Sequence, residues 1–231
     1  MKNMLCWCVH AYTALGGVLG MFALLAANDG NFPRAFWFIF WTMAIDATDG
    51  ILARKLDVKK RLPNFDGSKL DDVVDVFTYI YVPAFIIWKL DTINPVFCVV
   101  PIIAGLYAYG QKEMKTEDDF FLGWPSLWNL VALYLYWLMP GEIISTILIV
   151  VPGILTFIPT RYLYPSKSKV FQKSSLILGI IWVAIVFCLM LQETPSRTGI
   201  LASLFYPVFY TGASFYADWK IRQETKTRRT K

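Results

Sequence analysis

Long apolar runs recur along the whole of this 231-residue chain, at about 6–27, 33–54, 70–89, 95–111, 124–139, 142–159, 174–192 and 200–218. Some 20 helical residues cross the roughly 30 Å hydrocarbon core of a bilayer, because each residue rises about 1.5 Å. A soluble chain has no use for eight such runs. The fourth and fifth are short, and the fifth is parted from the sixth only by Met139-Pro140-Gly141-Glu142, where Pro and Gly break the helix. Composition agrees: 56% of residues are hydrophobic and 17% charged, against roughly 45–50% and 25% in soluble domains. Disorder, collagen, coiled coil and a disulfide scaffold are excluded, and the expected fold class is an all-α polytopic membrane protein of about eight transmembrane helices.

The positive charges orient it. Cytoplasmic loops collect Lys and Arg, and with both termini inside, all but three of the 22 Lys and Arg residues fall on the cytoplasmic side; Arg34, Lys89 and Arg197 are the exceptions. The expected topology is therefore N-in and C-in. The net charge of +5 is spread over the flanks of the spans, which speaks for membrane lipids as partners and against nucleic acid. Ala26-Ala27 could mimic a signal-peptidase site, but the apolar run before it exceeds the usual 7–15-residue signal core, so a retained helix is expected. Cys6, Cys8, Cys98 and Cys188 lack metal-type spacing and read as small buried apolar residues.

Aspartates interrupt two of the apolar runs. Asp46 and Asp49 lie in the second, and Asp71, Asp72 and Asp75 open the third. Ionised carboxylates inside a bilayer cost about 2.5–3.5 kcal/mol each on insertion scales, so they point to function. Asp46 and Asp49 stand at i, i+3 and Asp71 and Asp75 at i, i+4, so each pair shares a helix face, while Asp72 points elsewhere. Four carboxylates facing one another would repel unless cations sat among them, and an all-oxygen set suits hard divalent ions. Two such ions about 3.5–4 Å apart would serve displacement at phosphorus. Simple ion pairing with Arg54 and nearby Lys residues is the bland alternative. It does not explain the small residues beside the acids: Gly50 and Ala53 leave space for a ligand, and Gly67 lets backbone approach it. Arg54 can reach phosphate oxygens bidentately.

The stretch Asp46-Ala-Thr-Asp49-Gly50-Ile-Leu-Ala53-Arg54, twelve residues, then Gly67-Ser-Lys-Leu-Asp71-Asp-Val-Val-Asp75 resembles the signature of the CDP-alcohol phosphatidyltransferase family, D-x2-D-G-x2-A-R, a gap, then G-x3-D-x3-D. The resemblance implies that Asp46, Asp49, Asp71 and Asp75 are metal ligands for two ions and that Asp75 is also the general base. It likewise implies that Asp49, Gly50, Ala53, Arg54, Gly67 and Ser68 line a CDP pocket. One catalytic transmembrane domain over residues 1–218 and a basic cytoplasmic tail over 219–231 are expected.

The twelve-residue gap departs from the eight usual in much of the family and is similar to a bacterial branch that uses choline. Val9-His10-Ala-Tyr-Thr-Ala-Leu-Gly16, Met114 through Asn129 and Phe157-Ile-Pro-Thr-Arg161 resemble that branch too. The resemblance then implies that CDP-diacylglycerol and choline give phosphatidylcholine and CMP, with Mn²⁺ as the expected metal and Mg²⁺ as the other candidate. It further implies a homodimer and a bacterial inner membrane with the site on the cytoplasmic side. Choline, a quaternary ammonium, calls for aromatic faces and diffuse negative charge; Tyr79, Tyr107, Glu117, Asp118, Trp128 and Asn129 are the candidates, with Arg161 a candidate phosphate ligand. Another acceptor (serine, inositol or glycerol phosphate), an intramembrane prenyltransferase and a cation transporter stand as the alternatives.

Overall fold

The structure, a computed structural model, describes residues 2–91, 93–112, 114–116 and 118–229. Helices dominate. α1 (Lys2–Asn28) and α2 (Phe32–Lys55) form an antiparallel pair. The turn between them ends on Asn31, whose side chain accepts the Arg34 N–H and caps α2. The twelve residues after Arg54 hold one short turn, α3 (Val58–Arg61), and Asp66 then caps α4 (Gly67–Asp75) by accepting from the N–H groups of Ser68 and Lys69. α4 runs without a break through a widened π turn, Val76–Tyr81, into α5 (Val82–Lys89). A 3₁₀ turn (Pro95–Cys98) leads into α6 (Val99–Gly110), followed by α7 (Trp128–Leu138), α8 (Glu142–Thr156), α9 (Gln172–Met190), α10 (Arg197–Ser203) and α11 (Phe205–Arg229). Met139 and Gly141 take left-handed backbone angles (φ 41° and 86°), and these make the reversal between α7 and α8 that the Pro-Gly pair predicts.

Among the described residues, four helices are long and apolar enough to cross a bilayer: Asn3–Asn28, Phe32–Lys55, Gln172–Met190 and Arg197–Glu224. Pro95–Gly110, Trp128–Leu138 and Glu142–Thr156 are shorter apolar helices. At most a third of the apolar window in each long helix is buried inside the molecule. Large side chains face outward instead, with Ile143 78% exposed and Val208 70%. An apolar surface this continuous is covered by lipid in an integral membrane protein.

The segment α4–π turn–α5 is the axis of the bundle, packed by α1, α6 and α7. Ile80, Ile86 and Ile87 on this axis, Trp128 and Leu135 of α7 and Ile149 of α8 are fully buried around it. One departure from an all-helical chain is a small two-stranded antiparallel sheet, β1 (Phe120–Leu122) with β2 (Arg161–Leu163), in register Phe120 to Leu163. It joins two loops that the sequence leaves unconnected, and α11 packs on β2.

Candidate active site

α2 and α4 bring Asp46, Asp49 and Asp71 together, with one carboxylate oxygen from each lying within 4.8 Å of the others. Oxygen ligands at 2.0–2.6 Å from a hard divalent ion stand up to about 5 Å apart across it, so this donor set fits such an ion. Asp75, one turn along from Asp71, interacts electrostatically with Asp46 and Asp71 but lies outside that triplet of oxygens. Asp72 is exposed and turned away, as its position on the helix predicts.

Hydroxyls from other helices hold the carboxylates. Thr13 of α1 donates to Asp49 Oδ2 at 2.7 Å, and Asp49 is buried. Tyr79 in the π turn donates to Asp46 Oδ2 at 2.7 Å. Tyr109 of α6 donates to Asp75 Oδ2 at 3.3 Å. Such outer-shell donors fix the ligand orientation of acidic metal sites. Lys115, in the loop before β1, carries the positive charge that reaches Asp46, Asp71 and Asp75. Its ammonium lies 5.9 Å and 5.8 Å from the ring centroids of Phe121 and Tyr164, which stack on each other.

The small residues are placed as the pattern suggests. Arg54, exposed at the end of α2, folds back so that a Cβ on Gly50 would stand 3.2 Å from its Nη1. A Cβ on Gly67 would meet His10 Cε1 at 2.7 Å, so the glycine lets the buried imidazole lie against the start of α4. Trp7 and Phe65 hold His10 from two further directions. Ala53 packs against Cys6, Val9 and Val58, and Ser68 is exposed on the first turn of α4.

The remaining candidates scatter. Tyr107 is 43% exposed and packs on Phe157, with ring centroids 4.5 Å apart. Asp118 pairs with Arg161, which also pairs with Asp218 of α11, both at 3.5 Å. Trp128 is fully buried against Trp124. Asn129 is buried beside it at the start of α7. Glu117 lies outside the described residues. Thr13, Tyr109 and Lys115 are the residues that sequence reasoning missed. Tyr109 had a readable signal: Ala104, Gly105 and Ala108 mark the buried stripe of α6, and Tyr109 follows Gly105 by four residues on that side.

Carboxylates lie this deep between membrane helices where a hard cation or a proton is handled, so fold and site define an integral membrane protein with an acidic site suited to a hard divalent ion. Residues 10–206 match the profile of the CDP-alcohol phosphatidyltransferase family, and the chain belongs to that family. Among similar proteins are three named phosphatidylcholine synthase. The one from Legionella pneumophila is 34% identical, covering 92% of this chain and 88% of the relative. That from Borreliella burgdorferi is 30% identical over 96% and 99%, and that from Pseudomonas aeruginosa 32% identical over 87% and 85%.

Proposed function

We propose that the chain is a CDP-diacylglycerol–choline O-phosphatidyltransferase, which joins the phosphatidyl group of CDP-diacylglycerol to choline and releases CMP. The observation that carries this reading is the gathering of Asp46, Asp49 and Asp71 between α2 and α4, in a family member whose relatives over nearly its full length are named phosphatidylcholine synthase. Asp46, Asp49 and Asp71, joined by Asp75, would hold two divalent ions, Mn²⁺ in our reading. When bound, these neutralise charge on the pyrophosphate and polarise the attacked phosphorus.

The chain's own residues do the rest. Arg54, over Gly50, holds phosphate oxygens of the nucleotide, while Gly50, Ala53, Gly67 and Ser68 frame CDP. Choline sits beside Asp75, where Tyr79 and Tyr109 bring aromatic rings to the carboxylates. Asp75 takes the hydroxyl proton as the choline oxygen bonds to phosphorus and the bond from phosphorus to CMP breaks. The Tyr109 hydroxyl occupies one of the several lone-pair sites of that carboxylate and leaves the others free to accept.

In this reading residues 1–218 form one catalytic unit of eight spans with residues 219–231 as a basic tail, N-in and C-in, in a bacterial inner membrane with the site facing the cytoplasm. The chain works as a homodimer. Support for eight spans comes from the three shorter apolar helices beside the four long ones, with the continuous helix α4–π turn–α5 as the eighth, each shorter one crossing where the bilayer thins around it. The test uses purified protein with CDP-diacylglycerol, a panel of alcohols and a panel of divalent metals. Labelled choline entering lipid only when CDP-diacylglycerol and Mn²⁺ are both present is the expected result. Preference for serine, inositol or glycerol phosphate would overturn the acceptor, and choline transport without turnover would overturn the enzyme.

A further inference from the structure

We infer that an apolar groove along α2 receives the acyl part of CDP-diacylglycerol and that the Asn129 amide donates a hydrogen bond to one of its ester carbonyls. The inference rests on the proposed function and deepens it. The groove is a cavity of about 240 Å³ between α2, α7 and α9, walled by Ala44, Ala47, Leu133, Trp182 and Val186 among others. Ala44 and Ala47 flank Asp46 in sequence, so one end of the groove lies at the level of the carboxylates along α2, round the helix from them. The other end reaches Phe36, about 16 Å away along the helix at 1.5 Å per residue. That reach and the apolar lining suit a lipid tail and not a charged nucleotide or choline.

Asn129 supplies the polar point. It lines the groove and is 2% exposed. Its Oδ1 accepts the Leu130 N–H at 2.9 Å, which sets the orientation of the amide. Nδ2 is then left as a buried donor with no hydrogen-bond partner among the described residues. A buried unsatisfied donor costs about 1–3 kcal/mol until an acceptor reaches it. An acceptor arriving with the ligand does. Choline offers only its reacting hydroxyl, and its ammonium has no acceptor. The ester carbonyls of a phosphatidyl group are acceptors, and they sit where polar head and apolar tails meet, as Asn129 does at the edge of this groove.

Two variants test the inference, with equilibrium binding of CDP-diacylglycerol and of CDP measured beside the KM for choline. Asn129→Leu keeps the volume and removes the donor, and should weaken CDP-diacylglycerol binding roughly tenfold while sparing CDP affinity and the choline KM. Ala47→Phe fills the groove and should discriminate against long-chain CDP-diacylglycerol while a short-chain analogue still binds. Unchanged affinity for CDP-diacylglycerol in both variants overturns the inference. A rise in the choline KM alone overturns it too, and puts Asn129 at the acceptor. Wild-type protein that binds CDP-diacylglycerol yet makes no choline lipid sinks the proposed acceptor and not this groove. Equal loss of CDP and CDP-diacylglycerol affinity in Asn129→Leu counts against it, because the damage then lies in the nucleotide pocket.

Discussion

Three of the site's four carboxylates, Asp46, Asp49 and Asp75, each accept from a hydroxyl that lies outside the aspartate pattern. Thr13 holds Asp49 and Tyr79 holds Asp46, both at 2.7 Å, and Tyr109 reaches Asp75 at 3.3 Å. The three bonds divide the labour. Removing Tyr79 or Thr13 loosens a metal-side carboxylate, so Tyr79→Phe and Thr13→Val should each raise the Mn²⁺ concentration for half-maximal activity by about 10–100-fold, read from a metal titration. An unchanged titration curve would detach these hydroxyls from the metal. Asp75 is the proton acceptor in our reading, and Asp75→Asn should lower turnover at least about 100-fold while CDP-diacylglycerol still binds. Full activity in that variant would end the general-base assignment. Tyr107 and Tyr109 show how far a sequence reaches here. Two residues apart on a helix means roughly opposite sides, so one ring stacks on Phe157 while the other meets Asp75. The small residues Ala104, Gly105 and Ala108 mark the side of Tyr109, and the packing of α6 brings that side to the carboxylates.

The axis through the site is built from two helical pieces and a wider turn between them. Asp71 and Asp75 keep the i, i+4 relation that their spacing predicts, since α4 is regular as far as Asp75. Beyond it the π turn admits an extra residue and rotates the later side chains by about 100° relative to an unbroken α-helix. Tyr79 bonds Asp46, which itself faces Asp71 and Asp75, from inside this wider turn. Periodicity could not reveal this, because π turns carry no spacing of their own. The other end of α4 is fixed by contact: His10 is wedged against Gly67 by Trp7 and Phe65. Gly67→Ala should push the imidazole out at a cost of about 1–3 kcal/mol, seen as a lower Tm and reduced activity. Adding His10→Ala should restore much of both. If the double variant is no better than the single, the close approach does not matter and the glycine serves the ligand alone.

Across the whole molecule, apolar residues face outward and the charge-bearing loops flank the helices, so the bilayer is part of the fold. The N-in, C-in reading can be checked by replacing the four native cysteines and adding one at Lys59 or at Asp29. A membrane-impermeant thiol reagent applied to intact cells should label the Asp29 position and miss Lys59 until the membrane is opened; the opposite pattern would invert the topology. Apolar runs, flanking charges and the spacing of Asp46, Asp49, Asp71 and Asp75 were legible in the linear chain, because helix period and bilayer thickness are local constraints that any such chain must obey. Apart from Tyr79, the partners of those aspartates were not singled out there. Thr13, Tyr109, Lys115 and the strand pair joining Phe120–Leu122 to Arg161–Leu163 come from distant segments. Hydrogen bonds at 2.7–3.3 Å and a groove between α2, α7 and α9 depend on helix rotation and close approach, which residue spacing leaves free and side-chain packing decides.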